Sequence, residues 1–430
     1  MIRYHLAAQL LLAVLYSCTS VVYAQKNIKE YVSKSAVTIS TIQPDSANYR
    51  DLEPIGKAIG NSRVVMLGEQ DHGDAPTFLA KTRLIKYLHE KKGFNILAFE
   101  SDFFGLNYGW EYANKKRPFI DSFILRNVFP VWTACNTCSS LFYDYLPSTY
   151  TKKTPLILTG FDSQQYLNYS YYNLSRVLDS VFHSLNLPII RKSNYTAEIR
   201  LLIDSPKKWI FFPPKDTTNT SKCLGYLKTI RNQLSALVDT GNFWLYVIDN
   251  LQQQTKAVLY QAKTGKLDFD GRDRQMAINL KWLIEQKFKG EKIIVWAASY
   301  HISKNIQLVD NHAYKHIETM GGSLANISAD PKSIYILGFS SYRGTAGRIG
   351  MRSYPVHTFK KDGFESWLTP YSYAFVDFAK FNQEYPAGEE EFYASMLGHI
   401  PLKAPWTRIF DGVFFIKDMY PCIRIKSSSR

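Results

Sequence analysis

Two short apolar runs flank an amphipathic one near the front of this chain, and that grouping restricts its fold more than any other feature. Arg63 to Leu67 reads as a strand, Pro76 to Lys91 as a helix and Asn95 to Phe99 as a second strand. Phe78, Leu84, Ile85 and Leu88 recur at helical spacing in the middle segment, and Gly93 stops it. Strands joined by a helix of this length pair in parallel through a right-handed crossover.

The same alternation continues. Pro155 to Thr159, Lys292 to Ala297 and Ser333 to Leu337 read as further strands, and Gly412 to Ile416 as an edge or closing strand. Ile, Val and Leu occupy both faces of these runs, as strands covered by helices on each side require. Between them the period changes. Tyr171 to Leu185, Cys223 to Val238, Phe243 to Ala262 and Arg272 to Phe288 read as helices, as does Tyr49 to Ile59 ahead of the first strand. The expected fold is α/β, a mostly parallel central sheet flanked by helices, with a helical insertion. Residues 25–164 form the first part of the α/β domain, 165–290 the insertion and 291–430 the second part.

Residues just past the carboxyl ends of parallel strands converge on one crevice. Val64-Val65-Met66-Leu67 runs into Gly68-Glu69-Gln70-Asp71-His72-Gly73, and Ile96-Leu97-Ala98-Phe99 runs into Glu100. The strand from Lys292 ends in Ala298-Ser299-Tyr300-His301. A carboxylate at the end of a buried strand is costly unless it is paired or hydrated in a cleft. Glu69, His72, Glu100 and His301 are therefore candidates for one proton-handling site. His72 opens a helix, with Asp71 or Asp74 as cap and Pro76 in the first turn. The helix end disfavours a protonated imidazole and Glu69 favours it, so the two pulls oppose. Arg272 and Arg274 open a later helix and are candidates to orient water or steady an oxyanion.

Other chemistries find little support. No Gly-x-Ser-x-Gly elbow, P-loop or dinucleotide fingerprint stands in the right context, so no cofactor is expected. His-x-x-x-His or Glu-x-x-His spacing on a helix is not found, so no metal is expected either. The 430 residues carry a formal net charge of +15, scattered through every segment, which reads as a solvated basic exterior. No basic stripe interleaved with aromatics marks a nucleic-acid site.

Arg3, the apolar run from Leu6 to Tyr16 and Val22-Tyr23-Ala24 before Gln25 read as an export signal over residues 1–24. The protein is thus expected in the periplasm or outside the cell, without a membrane span; lipid attachment at Cys18 is the alternative. Export permits a disulfide, and Cys135-Asn136-Thr137-Cys138 is expected to hold a local one or two inert thiols. The oligomeric state stays open.

At the site residues the chain resembles the erythromycin esterase family. The resemblance rests on Gly68-Glu69-x-x-His72-Gly73, Leu84-Ile85, Gly93-Phe94 and Glu100. Trp132, Gly160-x-Asp162, Arg272-Asp273, Met276-Ala277, Asn279, Val295-Trp296-Ala297 and Phe410-Asp411 continue it through residues 60–420. It implies that His72 is the base that activates water, that Glu69 and Glu100 position the water and hold the imidazole, and that Arg272 supports them. The implied chemistry is opening of a macrolide lactone, so the expected partner is a small-molecule ester or lactone. Two departures stand out. The family has His-Asn-x-His where this chain has Ala298-Ser299-Tyr300-His301, and Ala-Thr where it has Gln70-Asp71. Ala298 keeps open the alternative of a ligand-binding or accessory protein without turnover.

Overall fold

The structure, a computed structural model, describes residues 28–210, 212–357, 362–386 and 390–425. The export-signal reading, with Cys18, lies outside them. In chain order the strands are β1 (Val37–Thr38), β2 (Val64–Leu67), β3 (Phe94–Asp102), β4 (Ile157–Asp162), β5 (Lys292–Trp296) and β6 (Ile334–Ala346). They continue with β7 (Tyr354–Pro355), β8 (Tyr373–Asp377), β9 (Phe392–Ala394), β10 (Leu402–Ala404) and β11 (Gly412–Met419). The main sheet runs β1-β8-β11-β6-β2-β5-β3-β4, with β7 paired to β6. From β11 to β4 every pairing is parallel; β8 is antiparallel to β11, and β1 to β8.

Alternation along the strands explains why both faces are filled. Val64 and Met66 join Ile293 and Val295 in one core, while Val65 and Leu67 join Ile294 and Trp296 in the other. The helices Asn168–Ser184, Thr218–Ser235, Phe243–Thr264 and Phe269–Trp282 share the first of these cores, through Leu178, Ile230, Leu251 and Leu280. The helical stretch thus covers a face of the sheet and builds no separate core. The second face is covered by the helix Ala75–Lys92, stopped by Gly93 at φ 72°.

Two sequence expectations need correction. Gly412–Met419 is not an edge: it lies between β6 and β8. The short Tyr373–Asp377 run, with polar residues around it, gives a weak strand signal, yet it takes the antiparallel place outside β11. Second, the disulfide joins Cys135 to Cys422, and Cys138 is a free, buried thiol. The pairing follows from the path of the last described segment. Cys422 N donates to Gly73 O at 2.8 Å and Ile425 N to Ala134 O at 2.9 Å, so that segment runs beside the Cys135 loop.

This bond closes a loop with a sequence separation of 287, and a long loop loses much unfolded-state entropy when closed. Serine at both positions is expected to lower unfolding stability by about 2–4 kcal/mol. Urea titrations of the double variant and the parent measure that difference.

A buried carboxyl sets a pH dependence. Glu365 is fully buried; its Oε1 accepts from Ser395 N at 2.7 Å and from the Ser340 hydroxyl, while Oε2 has no partner. Burial pushes the group up to about 7, against the downward pull of its hydrogen bonds. A folded value above the unfolded one means that the folded chain binds the extra proton. The contribution is complete below the ordinary glutamate range and is lost as pH rises through about 7. Glu365→Gln is therefore expected to unfold later than the parent at pH about 8.5 and close to it at pH about 5. Thermal unfolding at both pH values checks this.

Candidate active site

The loop between β2 and the helix Ala75–Lys92 carries Glu69 and His72. Gly68 N is held by Leu337 O at 3.0 Å, and Ser299 N donates to Glu69 O at 2.8 Å, so the loop is pinned to its neighbouring strands. Gly73 is required by close approach: a Cβ there would lie 1.9 Å from Gly347 O. Asp74 stands at the N-cap position, but its side chain does not cap the helix. It accepts instead from Asp71 N at 2.9 Å and faces His399 Nε2 at 3.0 Å.

Glu69 is fully buried and holds the imidazole from behind. Its Oε1 lies 2.7 Å from His72 Nδ1 and accepts from Trp132 Nε1 at 2.9 Å. Its Oε2 accepts from Lys81 Nζ at 2.7 Å. Burial alone would raise Glu69, but Lys81 and His72 keep it below the usual glutamate range. Burial draws the Lys81 ammonium down to about 8 in spite of Glu69, and its Nζ rests 3.9 Å from the centre of the Trp296 ring. A carboxylate on Nδ1 fixes the tautomer that leaves Nε2 as the basic nitrogen. The His72 ring lines a cleft, edge-on to Trp132 at 5.3 Å between ring centres.

The same cleft is lined by a second cluster. Phe99 pairs with Gly160 and Asp102 with Asp162, so an extra residue bulges from β3 at this point. Bulges re-aim side chains next to sites, and Glu100 sits on this one. Its Oε1 accepts from Arg272 Nη2 at 3.0 Å and lies 3.2 Å from His301 Nε2; its Oε2 accepts from Ala298 N at 3.0 Å. Arg272 also grips Asp162, through Nε at 3.1 Å and Nη2 at 2.6 Å. His301 Nδ1 lies 2.7 Å from Asp273 Oδ1.

The electrostatics follow from these contacts. Burial opposes charge on His301, but Asp273 and Glu100 outweigh it and lift the imidazole to about 10. Burial would raise Glu100, and His301 and Arg272 instead hold it well below the usual range. A protonated His301 forms an ion pair with each carboxylate. Its Nε2 also stands 3.2 Å from Arg272 Nη1, and Glu100 Oε1 lies against both donors.

The cleft measures about 740 Å³ and has an aromatic side formed by Phe129, Trp132, Tyr166, Phe269 and Tyr300. His72, Glu100, Arg272, Ala298 and His301 all line it. Glu69 does not, because its carboxylate is closed in by its three donors. Arg274 is not part of this wall either; it pairs with Glu318 at 2.6 Å on the surface. Among the described residues, no group of His, Cys, Asp or Glu is arranged to hold a metal ion, and no helix is long and apolar enough to cross a membrane.

Sequence reasoning missed Lys81 and Asp273, and gave Asp74 only as a helix cap, which it is not. Lys81 had a visible signal: it interrupts the apolar stripe Phe78, Leu84, Ile85 and Leu88 of its own helix. A charge in such a stripe asks for a buried partner. Asp273 adjoins Arg272 but had no signal of its own. Ser341 Oγ, His399 and Asp74 form a hydrogen-bonded row with contacts of 3.1 and 3.0 Å. All three side chains are buried, none lines the cleft, and the row serves to fix the Asp71–Asp74 loop.

A mostly parallel sheet with a carboxylate-held imidazole and an ion cluster lining one cleft at its carboxyl edge defines a class of α/β proteins with a catalytic-type cleft. Comparison with known proteins narrows the class. The erythromycin esterase family profile matches residues 89–418, and the chain belongs to that family. It is 23% identical to erythromycin esterase type II of Escherichia coli over 359 residues, 78% of this chain and 82% of that protein. It is 25% identical to YbfO of Bacillus subtilis (strain 168) over 324 residues, 71% of this chain and 70% of that protein. Among solved structures, a mutant of the erythromycin esterase EreC in its open conformation superposes with TM-score 0.67 at 16% identity, over 90% of this chain and 98% of that one. A succinoglycan biosynthesis protein superposes with TM-score 0.67 at 20% identity, over 94% and 99%. These superpositions establish the shared fold: a mostly parallel sheet flanked by helices.

Proposed function

We infer that this protein hydrolyses a carboxylic ester or lactone with a water activated by His72. The observation that carries the reading is the Glu69–His72 contact at 2.7 Å with the imidazole lining the cleft. A water on Nε2 gives up a proton as its oxygen bonds to the ester carbonyl carbon. Glu69 steadies the imidazolium that forms. The tetrahedral adduct then collapses, the C–O bond to the alcohol breaks, and the imidazolium returns its proton to the departing oxygen. Arg272 and His301 present positive charge to the cleft where the adduct's oxygen becomes negative. The aromatic side suits a substrate with a bulky, partly apolar body, and relatives named erythromycin esterases make a macrolide lactone a first choice to assay. The export-signal reading of residues 1–24 supports the periplasm or the cell exterior as the place of this activity.

Ala298 favours a second reading, capture of a ligand without turnover, because its side chain brings no polar group to the cleft wall. One experiment separates the two: purified protein with aryl esters and macrolides, followed by product release and by equilibrium binding. Turnover supports hydrolysis. Saturable binding with no product, unchanged in His72→Ala, supports capture.

A further inference from the structure

The cleft contains a cation that the reaction above does not use. Arg348 lies in the turn between β6 and β7 and lines the cleft with His72. Its Nε donates to Asp71 Oδ1 at 2.6 Å, and Tyr354 OH donates to Asp71 Oδ2 at 2.6 Å. The same Asp71 Oδ1 accepts His72 N at 2.8 Å. One carboxylate oxygen therefore joins the backbone of the base to the guanidinium. Among the described residues the Nη atoms of Arg348 have no partner, and its side chain is 43% exposed.

The other charged groups in and behind the cleft wall are engaged by partners of the opposite sign. Glu69 is matched by Lys81, and Glu100 and Asp162 by Arg272 and His301, each within 3.2 Å of its partner. Arg272 has Asp162 along one edge and Glu100 and His301 at the other. Arg348 differs: one edge is held by Asp71, and the forked end faces open space. A guanidinium held on one side is preorganised to take a planar anion on the other through paired hydrogen bonds. The short tether to His72 limits how far that anion can sit from the ester under attack.

We propose that Arg348 selects the substrate, and that the preferred ester carries a carboxylate on its acyl side, seated on the Arg348 fork while the apolar body lies against the aromatic side. This rests on the hydrolytic reading for its chemistry but makes a separate claim about binding.

The test compares 4-nitrophenyl hydrogen glutarate with 4-nitrophenyl butyrate, and the matching 4-nitroanilides as stable binding probes, in wild type, Arg348→Gln and Arg348→Glu. In wild type the anionic ester is expected to lead in kcat/KM. Arg348→Gln is expected to shrink that lead by roughly tenfold to a hundredfold, mostly through KM, as loss of a charge-assisted pair implies. Arg348→Glu is expected to invert it. Loss of both esters in equal proportion, or a lead that survives both variants, overturns the proposal. So does equal binding of the glutaryl and butyryl anilides by wild type. If neither ester turns over but the glutaryl anilide binds better in an Arg348-dependent way, the hydrolytic reading fails and the Arg348 site stands.

Discussion

His72→Ala is expected to lower kcat/KM for any ester the protein hydrolyses by about 10²- to 10⁴-fold, the usual weight of a positioned base. The loss falls on kcat, because the imidazole acts on water and contributes little contact to the ester's body. Folding is expected to survive. The His72 side chain is at the cleft wall, 16% exposed, and its removal leaves Glu69 with Lys81 and Trp132. Stopped assays at matched protein concentration measure the rate, and thermal unfolding confirms the fold. A variant that keeps more than about a third of parental kcat shows that another group takes the proton. The attack would then have to be reassigned, with Glu100 the next group on the cleft wall.

The site was legible where chain geometry forces convergence. Apolar strands ending in Glu69, Glu100 and the His301 segment had to meet, because parallel strands share one carboxyl edge. Periodicity does not show pairing across long sequence distances. Cys135 and Cys138 look like a local pair, yet Cys422 arrives from the far end of the chain because the segment after β11 runs beside the Cys135 loop. β11 looks terminal because β1 is only two residues long and β8 is set among polar residues, although they complete the sheet outside it. Glu100 is within a strand, and only the bulge opposite Gly160 and Asp162 turns it toward the cleft; no residue type marks that bulge. Arg348 had no signal at all. It is held by a contact with Asp71, and an arginine in a polar turn reads as solvated surface.

Lys81 offers the largest stability effect, and it separates the role of charge from that of shape. The ammonium and the Glu69 carboxylate are both sealed from solvent, 2.7 Å apart. Breaking such a pair from one side leaves the other charge buried and uncompensated, which costs about 3–5 kcal/mol. Lys81→Met keeps an unbranched apolar side chain of similar length and removes the charge, so it is expected to lose about that much. It should also slow turnover. Without Lys81, burial dominates Glu69 and raises it, and a protonated Glu69 no longer steadies an imidazolium at His72. Adding Glu69→Gln to Lys81→Met removes the stranded charge, and replacing both ends of a buried pair is often close to neutral. Stability is therefore expected to return toward the parent in the double variant while activity stays low. Urea unfolding and ester assays on the single and double variants read the two quantities separately. Full activity in the double variant would show that the Glu69 charge has no part in the chemistry and only fills space behind His72. A single variant as stable as the parent would show that water reaches Glu69, and that the pair is not sealed in solution.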